Sequence, residues 1–222
     1  MRMLDLIYDE NDFIVLDFFA GSGTTGHALM KSNIIDNGKR TFLCVQLDEA
    51  FNEKKKETKW KKISNLTIER LRRASRQILN ENKKSACDCG FHVFKLTLSN
   101  FKEWQNYEGT DVKQLEKQLE LHVSPLEENW KEENLLNEIL LIEGFPLDSK
   151  IEVLSNYKKN KAYRITSDFC EHALLICLDK KVQDETIKSL QLNESDIFIC
   201  LDTAISDQDK VRLSDKGLIK TI

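Results

Sequence analysis

The sequence predicts an α/β protein with two units. Short apolar runs of strand length alternate with stretches of helical periodicity, and turn residues separate most of them. Charge is segregated: residues 53–84 hold twelve Lys and Arg against four Glu, a balance of +8, and residues 100–150 hold twelve acids against five bases, a balance of −7. We place the boundary near residues 99–107, which assigns residues 1–104 to the first unit and 105–222 to the second.

Composition excludes several classes of protein. The chain has 222 residues, 41% of them hydrophobic, which is enough apolar material for a core in each unit. No apolar run reaches the ~18 residues of a membrane span, and Asp5 interrupts the segment where a signal peptide is apolar. Six cysteines without an export signal are typical of reduced thiols. We therefore expect a cytoplasmic protein with no membrane partner.

The first unit is predicted to begin with a strand, a helix and a second strand. Residues 13–17 form an apolar run of strand length, a glycine-rich turn follows, and residues 24–31 have a helical pattern. After a turn at residues 36–38, residues 41–47 are a second candidate for a buried strand. Two such strands joined by a helix make a βαβ unit, whose strands should be parallel with a right-handed crossover.

A basic helix and a further strand are predicted next. The helix covers residues 64–82, with an apolar stripe on one face and most of its arginines off it. The strand covers residues 91–98 and places Phe94, Leu96 and Leu98 on one side.

The second unit is predicted to open with two acidic helices, at residues 111–122 and 132–143, the latter closed by Gly144 and Pro146. Their apolar residues at helical spacing, Leu115, Leu119, Leu135, Leu136, Ile139 and Leu140, fit a dimer seam or an ordinary core, and we keep both interpretations. Strands are then predicted at residues 151–154, 162–166, 173–178, 197–201 and 218–222, with helices at 184–192 and 207–215.

The turn from Asp17 to Gly26 is the most informative segment. A strand runs into glycines that permit a tight turn, and a helix then begins with its N–H groups aimed at the same spot. Such a corner at the carboxyl end of a strand binds nucleotides. The spacing Gly21-x-Gly23-x-x-Gly26 also satisfies the dinucleotide fingerprint, which is weak evidence by itself. A plain strand-to-helix turn and an NAD site are the alternatives.

Three features favour S-adenosylmethionine over NAD. Asp17 lies four residues before the first glycine, where its carboxylate can accept from the amino group of a methionine moiety or from the amides of the loop. Thr24 and Thr25 supply hydroxyls at the helix start for capping and for a carboxylate or ribose. Phe19 can flank an adenine.

The string DFFAGSGTTGHAL, with the strand ending in Val45-Gln46-Leu47, resembles the cofactor-binding motif of beta-class amino-methyltransferases acting on DNA, and most of all the modification subunits of type III restriction systems. The resemblance continues at residues 67–74, 90–96 and 99–104 and into the C-terminal region. It implies a partial Rossmann-like, S-adenosylmethionine-dependent methyltransferase sheet followed by a smaller C-terminal α/β domain for assembly or dimerisation.

The resemblance also implies an activity and partners. Such enzymes transfer a methyl group from S-adenosylmethionine to the exocyclic amine of adenine in DNA, and the expected partners are DNA, a second copy of the chain and a restriction subunit with nuclease and helicase functions. At the end of the second strand many relatives have an acid for the ribose, where this chain has Gln46, with Asp48 and Glu49 as substitutes. The cofactor-binding residues would be Asp17, Phe19, Gly21, Ser22, Gly23, Thr24, Thr25 and Gln46.

The family's catalytic acid-Pro-Pro-aromatic tetrapeptide is missing from the sequence, whose two prolines are Pro125 and Pro146. In the beta class this motif and the target-recognition region precede the cofactor motif. We therefore expect the C-terminal part of a longer enzyme, inactive without its N-terminal half, with no catalytic residue and with an exposed hydrophobic sheet edge. A non-catalytic assembly module is the alternative.

Other candidate sites are weaker. Cys87, Cys89 and His92 have the spacing of half a zinc site but lack a second ligand pair, so we expect no metal. The basic stretches 54–62 and 70–76 are candidates for contact with DNA phosphates or plain solvated faces. We expect a structural role for His27, and buried positions for Cys170, Cys177 and Cys200.

Overall fold

The computed structural model describes residues 11–50, 60–83, 87–103, 107, 109–121 and 124–222. The chain divides into two compact units, residues 1–95 and residues 96–222. The division falls earlier than the boundary that composition predicts at residues 104/105. Within the described ranges, no helix has both the length and the apolar character needed to cross a membrane.

The first unit contains the predicted strand, helix and strand, followed by the long basic helix. Its elements are β1 (Ile14–Asp17), α1 (Thr24–Asp36), β2 (Thr41–Cys44) and α2 (Ile63–Glu81). The strands pair in parallel, with Leu16 opposite Leu43, as the βαβ pattern predicts. Strand β2 ends earlier than residue 47, but the Val45 amide still donates to the Asp17 carbonyl at 2.8 Å.

The two helices of the first unit cover one face of this small sheet. Met30 of α1 and the stripe Leu71, Ala74 and Ile78 of α2 are buried, and Phe42 of β2 packs against them. The other face of the sheet is exposed. Its side chains alternate with the inward ones along both strands, and we call them the open sheet face: Ile14, Leu16, Leu43, Val45 and Leu47, which are 46–68% exposed.

The predicted strand at residues 91–98 is wrong. No ladder pairs this segment with another described part of the chain. Leu96 and Leu98 are more than 90% exposed, and Phe94 is half exposed. An alternating apolar pattern indicates which side chains of a segment can be buried together on one face. A strand forms only where a neighbouring strand pairs with its backbone N–H and C=O groups.

The second unit is built on one five-stranded sheet. Its strands lie in chain order, antiparallel across the first three and parallel across the last three. The elements are α3 (Val112–Leu121), α4 (Glu132–Ile142), β3 (Lys150–Leu154), β4 (Ala162–Thr166), β5 (Leu174–Cys177), α5 (Asp184–Ser189), β6 (Ile197–Cys200), α6 (Asp207–Ser214) and β7 (Leu218–Thr221).

Two apolar layers enclose this sheet. Strands β5 and β6 are buried along their whole length, with alternate residues contributing to different clusters. Helix α4 covers one face with Leu135, Leu136, Ile139 and Leu140, while α5 and α6 cover the other. For α4 the core interpretation is therefore confirmed. In α3, Leu115 is half-buried and Leu119 is exposed, so a dimer seam there stays a prediction.

The cysteines of the second unit follow the prediction in part. Cys177 and Cys200 are fully buried opposite each other in β5 and β6. Cys170 is half-buried against the α4 side of the core.

Candidate functional site

The loop between β1 and α1, residues 18–23, is the glycine loop. Gly21 and Gly23 have φ of +52° and +76°, a left-handed conformation that side chains disfavour. The Gly23 amide donates to the Ala20 carbonyl at 2.7 Å and closes a tight turn. Helix α1 then starts with Gly23 as its N-cap, so that no side chain at this position satisfies the first amides of the helix. These amides suit an anionic group.

Asp17 braces the glycine loop from the end of β1. Its Oδ1 accepts from the Phe19 amide at 3.1 Å, and its Oδ2 accepts from the Thr25 hydroxyl at 2.5 Å. Loop contacts are thus one of the two roles that the sequence left open for this carboxylate. Since a carboxylate offers about four acceptor sites, Asp17 can still accept from an amino group.

Gln46 braces the loop from β2. Its Oε1 accepts from the Gly21 amide at 2.8 Å. Of the two predicted substitutes, the Asp48 carboxylate pairs with Lys62, which lowers the pKa of Asp48. Glu49 contributes its backbone carbonyl, which accepts from the Ile63 amide. The Gln46 side chain is thus in direct contact with the glycine loop.

Helix α2 holds the loop from a third side, and this role was not predicted. The Thr67 hydroxyl donates to the Gly21 carbonyl. Arg70 Nη1 donates to the Ser22 hydroxyl at 2.7 Å and to the Thr24 hydroxyl at 3.2 Å. Thr67 and Arg70 are three residues apart and therefore lie on one side of the helix. The spacing of Thr67 and Arg70 can be read from the sequence, but their contact with the glycine loop cannot.

Glycines also permit the close approach of α1 to its neighbours. A Cβ at Gly26 would lie 2.9 Å from Leu71 Cδ2 and 3.1 Å from Phe42 Cε2. A Cβ at Gly23 would lie 3.0 Å from Thr67 Cγ2. The absence of a side chain at Gly26 thus allows α1 to pack closely, whereas at Gly21 it allows the backbone conformation of the loop.

The glycine loop carries two exposed aromatic side chains. Phe19 is 88% exposed and Phe18 is 62% exposed. An exposed ring next to a nucleotide-binding turn has a face available for stacking. The position of Phe19 is therefore compatible with its predicted role beside an adenine, which stays a prediction.

His27 lies one turn into α1, with its Nε2 buried and without a hydrogen-bond partner among the described residues. Burial lowers the pKa of His27, and Lys31 and Arg70 lower it further. All three effects favour the neutral form of the ring. Within the described ranges, no three His, Cys, Asp or Glu side chains are grouped as metal ligands.

No protein-family profile matches the chain. The type III restriction-modification enzyme StyLTI Mod subunit of Salmonella typhimurium (strain LT2) is 33% identical over 113 residues, 50% of this chain and 17% of the relative. The EcoP15I Mod subunit of Escherichia coli is 42% identical over 89 residues, 39% of this chain and 13% of the relative. The type II methyltransferase M.KpnI of Klebsiella pneumoniae is 40% identical over 62 residues, 27% of this chain and 15% of the relative.

The matched stretches span less than a fifth of each of these relatives. The predicted resemblance to part of a type III modification subunit is confirmed by this similarity. The beta-class subtype stays a prediction.

Proposed function

We propose that this chain is the cofactor-binding and C-terminal part of an S-adenosylmethionine-dependent DNA methyltransferase of the type III modification kind. One observation carries the proposal: Asp17 and Gln46, at the ends of two parallel strands, both hold a glycine loop that opens a helix. A ligand at the carboxyl ends of parallel strands is the general rule for open α/β sheets. The similarity to Mod subunits and to a type II methyltransferase supports the reaction class.

The residues of the corner suit the two ends of this cofactor. Asp17 has acceptor capacity for the ammonium of the methionine moiety, and the N-terminus of α1 suits its carboxylate. Gln46 can hold the ribose and Phe19 can flank the adenine. When bound, S-adenosylmethionine supplies the methyl group for the exocyclic amine of adenine.

We further infer that β1, α1 and β2 belong to a larger Rossmann-like sheet, and that a catalytic part supplies its other strands and covers the open sheet face. A two-stranded sheet is marginal by itself, and parallel sheets are normally covered on both faces. Leu16 and Leu43 lie side by side on this uncovered face. The relatives are several times longer than the matched stretches, and the sequence lacks the acid-Pro-Pro-aromatic tetrapeptide. These observations support a catalytic part as the occupant.

DNA is the proposed substrate, and we propose a cytoplasmic location. Arg72, Arg73 and Arg76 of α2 are exposed and form a positive surface that suits phosphates. Of the other predicted basic stretch, 54–62, residues 54–59 lie outside the described residues. A restriction subunit is proposed because the relatives are named as Mod subunits of larger enzymes, and the homodimer stays a proposal.

The proposal is tested by methyl transfer from labelled S-adenosylmethionine to duplex DNA. We expect no incorporation by this chain alone. Incorporation into adenine is expected after co-expression with the N-terminal part of a type III Mod subunit that carries the tetrapeptide. Asp17→Ala in the same complex should abolish it. Incorporation by the chain alone contradicts the predicted inactivity. A complex that binds no S-adenosylhomocysteine in calorimetry contradicts the cofactor role and favours an assembly module.

A further inference from the structure

Helix α2 is tied to the glycine loop by side chains that are far from the loop in sequence. Thr67 reaches the Gly21 carbonyl, and Arg70 reaches the hydroxyls of Ser22 and Thr24. Each contact spans more than forty residues of chain. The loop is therefore held at its first glycine and on both sides of its second.

The cations of α2 fall into two groups. Arg70 is partly buried and directed to the loop, whereas Arg72 and Arg76 are exposed. Arg73 is exposed and pairs with Glu69 at 2.7 Å. Arg70 therefore contacts the glycine loop, whereas the other arginines of the predicted basic stretch 70–76 are exposed.

Ordering a glycine loop that lacks such contacts has a large cost in conformational entropy. Glycine loses more backbone freedom on ordering than any other residue, so a ligand that must order the loop binds more weakly. A hydrogen bond from a guanidinium is stronger than one between neutral groups. Contacts that order the loop beforehand raise affinity without touching the ligand.

We propose that Arg70, together with Thr67, is a positioning residue that sets the glycine loop in its cofactor-binding shape before the cofactor arrives. The identity of the ligand rests on the function proposed above. The ordering of the loop does not, because the contacts belong to the chain itself. Helix α2 thereby controls the affinity of a site formed by β1, α1 and β2.

The first test needs no ligand. Hydrogen exchange is measured on the full chain and on Arg70→Met, which keeps an unbranched stem but removes the guanidinium donors. We expect exchange at the hydrogen-bonded amides of Gly21 and Gly23 to rise by about tenfold. Arg72→Met, on the exposed side of the same helix, is the matched control and should leave these rates unchanged.

Two results of this first test would overturn the proposal. One is equal exchange at the Gly21 and Gly23 amides in Arg70→Met and in the unchanged chain. The other is an equal rise at Leu29 and Met30 in the buried part of α1, because that would indicate general loss of the first unit. Thr67→Val, which keeps the shape of the side chain, provides a second variant and should raise exchange mainly at Gly21.

The second test measures calorimetric affinity for S-adenosylhomocysteine in the complex with the catalytic part. Arg70→Met should weaken binding by about tenfold, and Arg70→Lys should recover part of it, since one charged donor remains. Unchanged affinity in Arg70→Met, when the complex without this substitution binds, overturns the proposal. If that complex does not bind, the proposed function fails, and the exchange test still decides the role of Arg70.

Discussion

Gln46 at the end of β2 accepts a hydrogen bond from the Gly21 amide at 2.8 Å, across 25 residues of sequence. The bond fixes the glycine loop to the neighbouring parallel strand. It also places the side chain that is our candidate for the ribose directly beside the loop. One residue therefore serves both the shape of the site and its proposed contact with the ligand.

Gln46→Ala should weaken binding of S-adenosylhomocysteine by about fivefold to tenfold, because the partly buried Gly21 amide loses its acceptor. Gln46→Glu keeps an acceptor oxygen and should bind within about twofold of the unchanged complex. Calorimetry on the complex with the catalytic part measures both. An equal loss of affinity in the two variants would show that the acceptor oxygen at position 46 does not account for the binding.

Local patterns predicted the first unit well and its long-range contacts poorly. The apolar runs at residues 13–17 and 41–47, with a glycine turn between them, were sufficient to predict β1, α1 and the parallel pairing of β1 with β2. The approach of α2 to the loop depends on tertiary packing, where Gly26 admits Leu71 within contact distance. Local periodicity carries no information about that approach, so Arg70 was grouped with the exposed arginines.

The same limit explains the two acidic helices and the segment at residues 91–98. Helices α3 and α4 have similar apolar spacing, but of these two helices, among the described residues, it is α4 whose leucines belong to the core of the five-stranded sheet. For residues 91–98 the alternation is correct and the neighbouring strand is missing from the described part of the chain. A sequence pattern indicates which side chains of a segment can be buried. Whether they are buried depends on the neighbouring elements of the fold.

Gly26→Ala should destabilise the first unit by about 1–3 kcal/mol, because the new methyl would lie 2.9 Å from Leu71 and 3.1 Å from the Phe42 ring. Hydrogen exchange at the buried amides of α1 measures this local stability. Lys31→Ala, at an exposed position of the same helix, should change it by less than about 0.5 kcal/mol. Protection in Gly26→Ala equal to that in Lys31→Ala would contradict the packing role.

Substitution of Leu16 and Leu43 by Lys should prevent assembly with the catalytic part. Both side chains lie on the open sheet face, where burial of a lysine charge is unfavourable. In a pull-down with the co-expressed part, we expect recovery to fall by more than about tenfold. Ile35→Lys, an exposed apolar position on α1, is the control and should not affect recovery. Full recovery with the double variant would place the interface elsewhere.

Charge reversal at Arg72 and Arg76 should weaken binding of the complex to DNA at every sequence. Binding to phosphates releases counterions, so the slope of log K against log salt should fall by about one for each arginine that no longer binds a phosphate. Lys180→Glu with Lys188→Glu, exposed in the second unit, makes the same change in net charge and serves as the control. Equally weakened binding in the two double variants would indicate a general charge effect rather than a phosphate-binding face on α2.

Alkaline pH should destabilise the second unit through its two buried thiols. Burial raises the pKa of Cys177 to about 11 and that of Cys200 to about 12. Thiols in the unfolded chain titrate near ~8.5, so above that pH the unfolded state loses protons that the folded state retains. Stability is therefore constant with respect to these groups below pH ~8 and falls as pH rises toward the raised pKa values.

The expected slope is at most about 1.4 kcal/mol per pH unit for each thiol. Urea unfolding followed by circular dichroism between pH 8 and about 10.5 measures it, and Cys200→Ala should reduce the slope because one of the two groups is removed. Lysines also titrate in this range, but they are the same in both proteins and cancel in the comparison. An identical slope in Cys200→Ala would show that the Cys200 thiol is not what couples unfolding to pH.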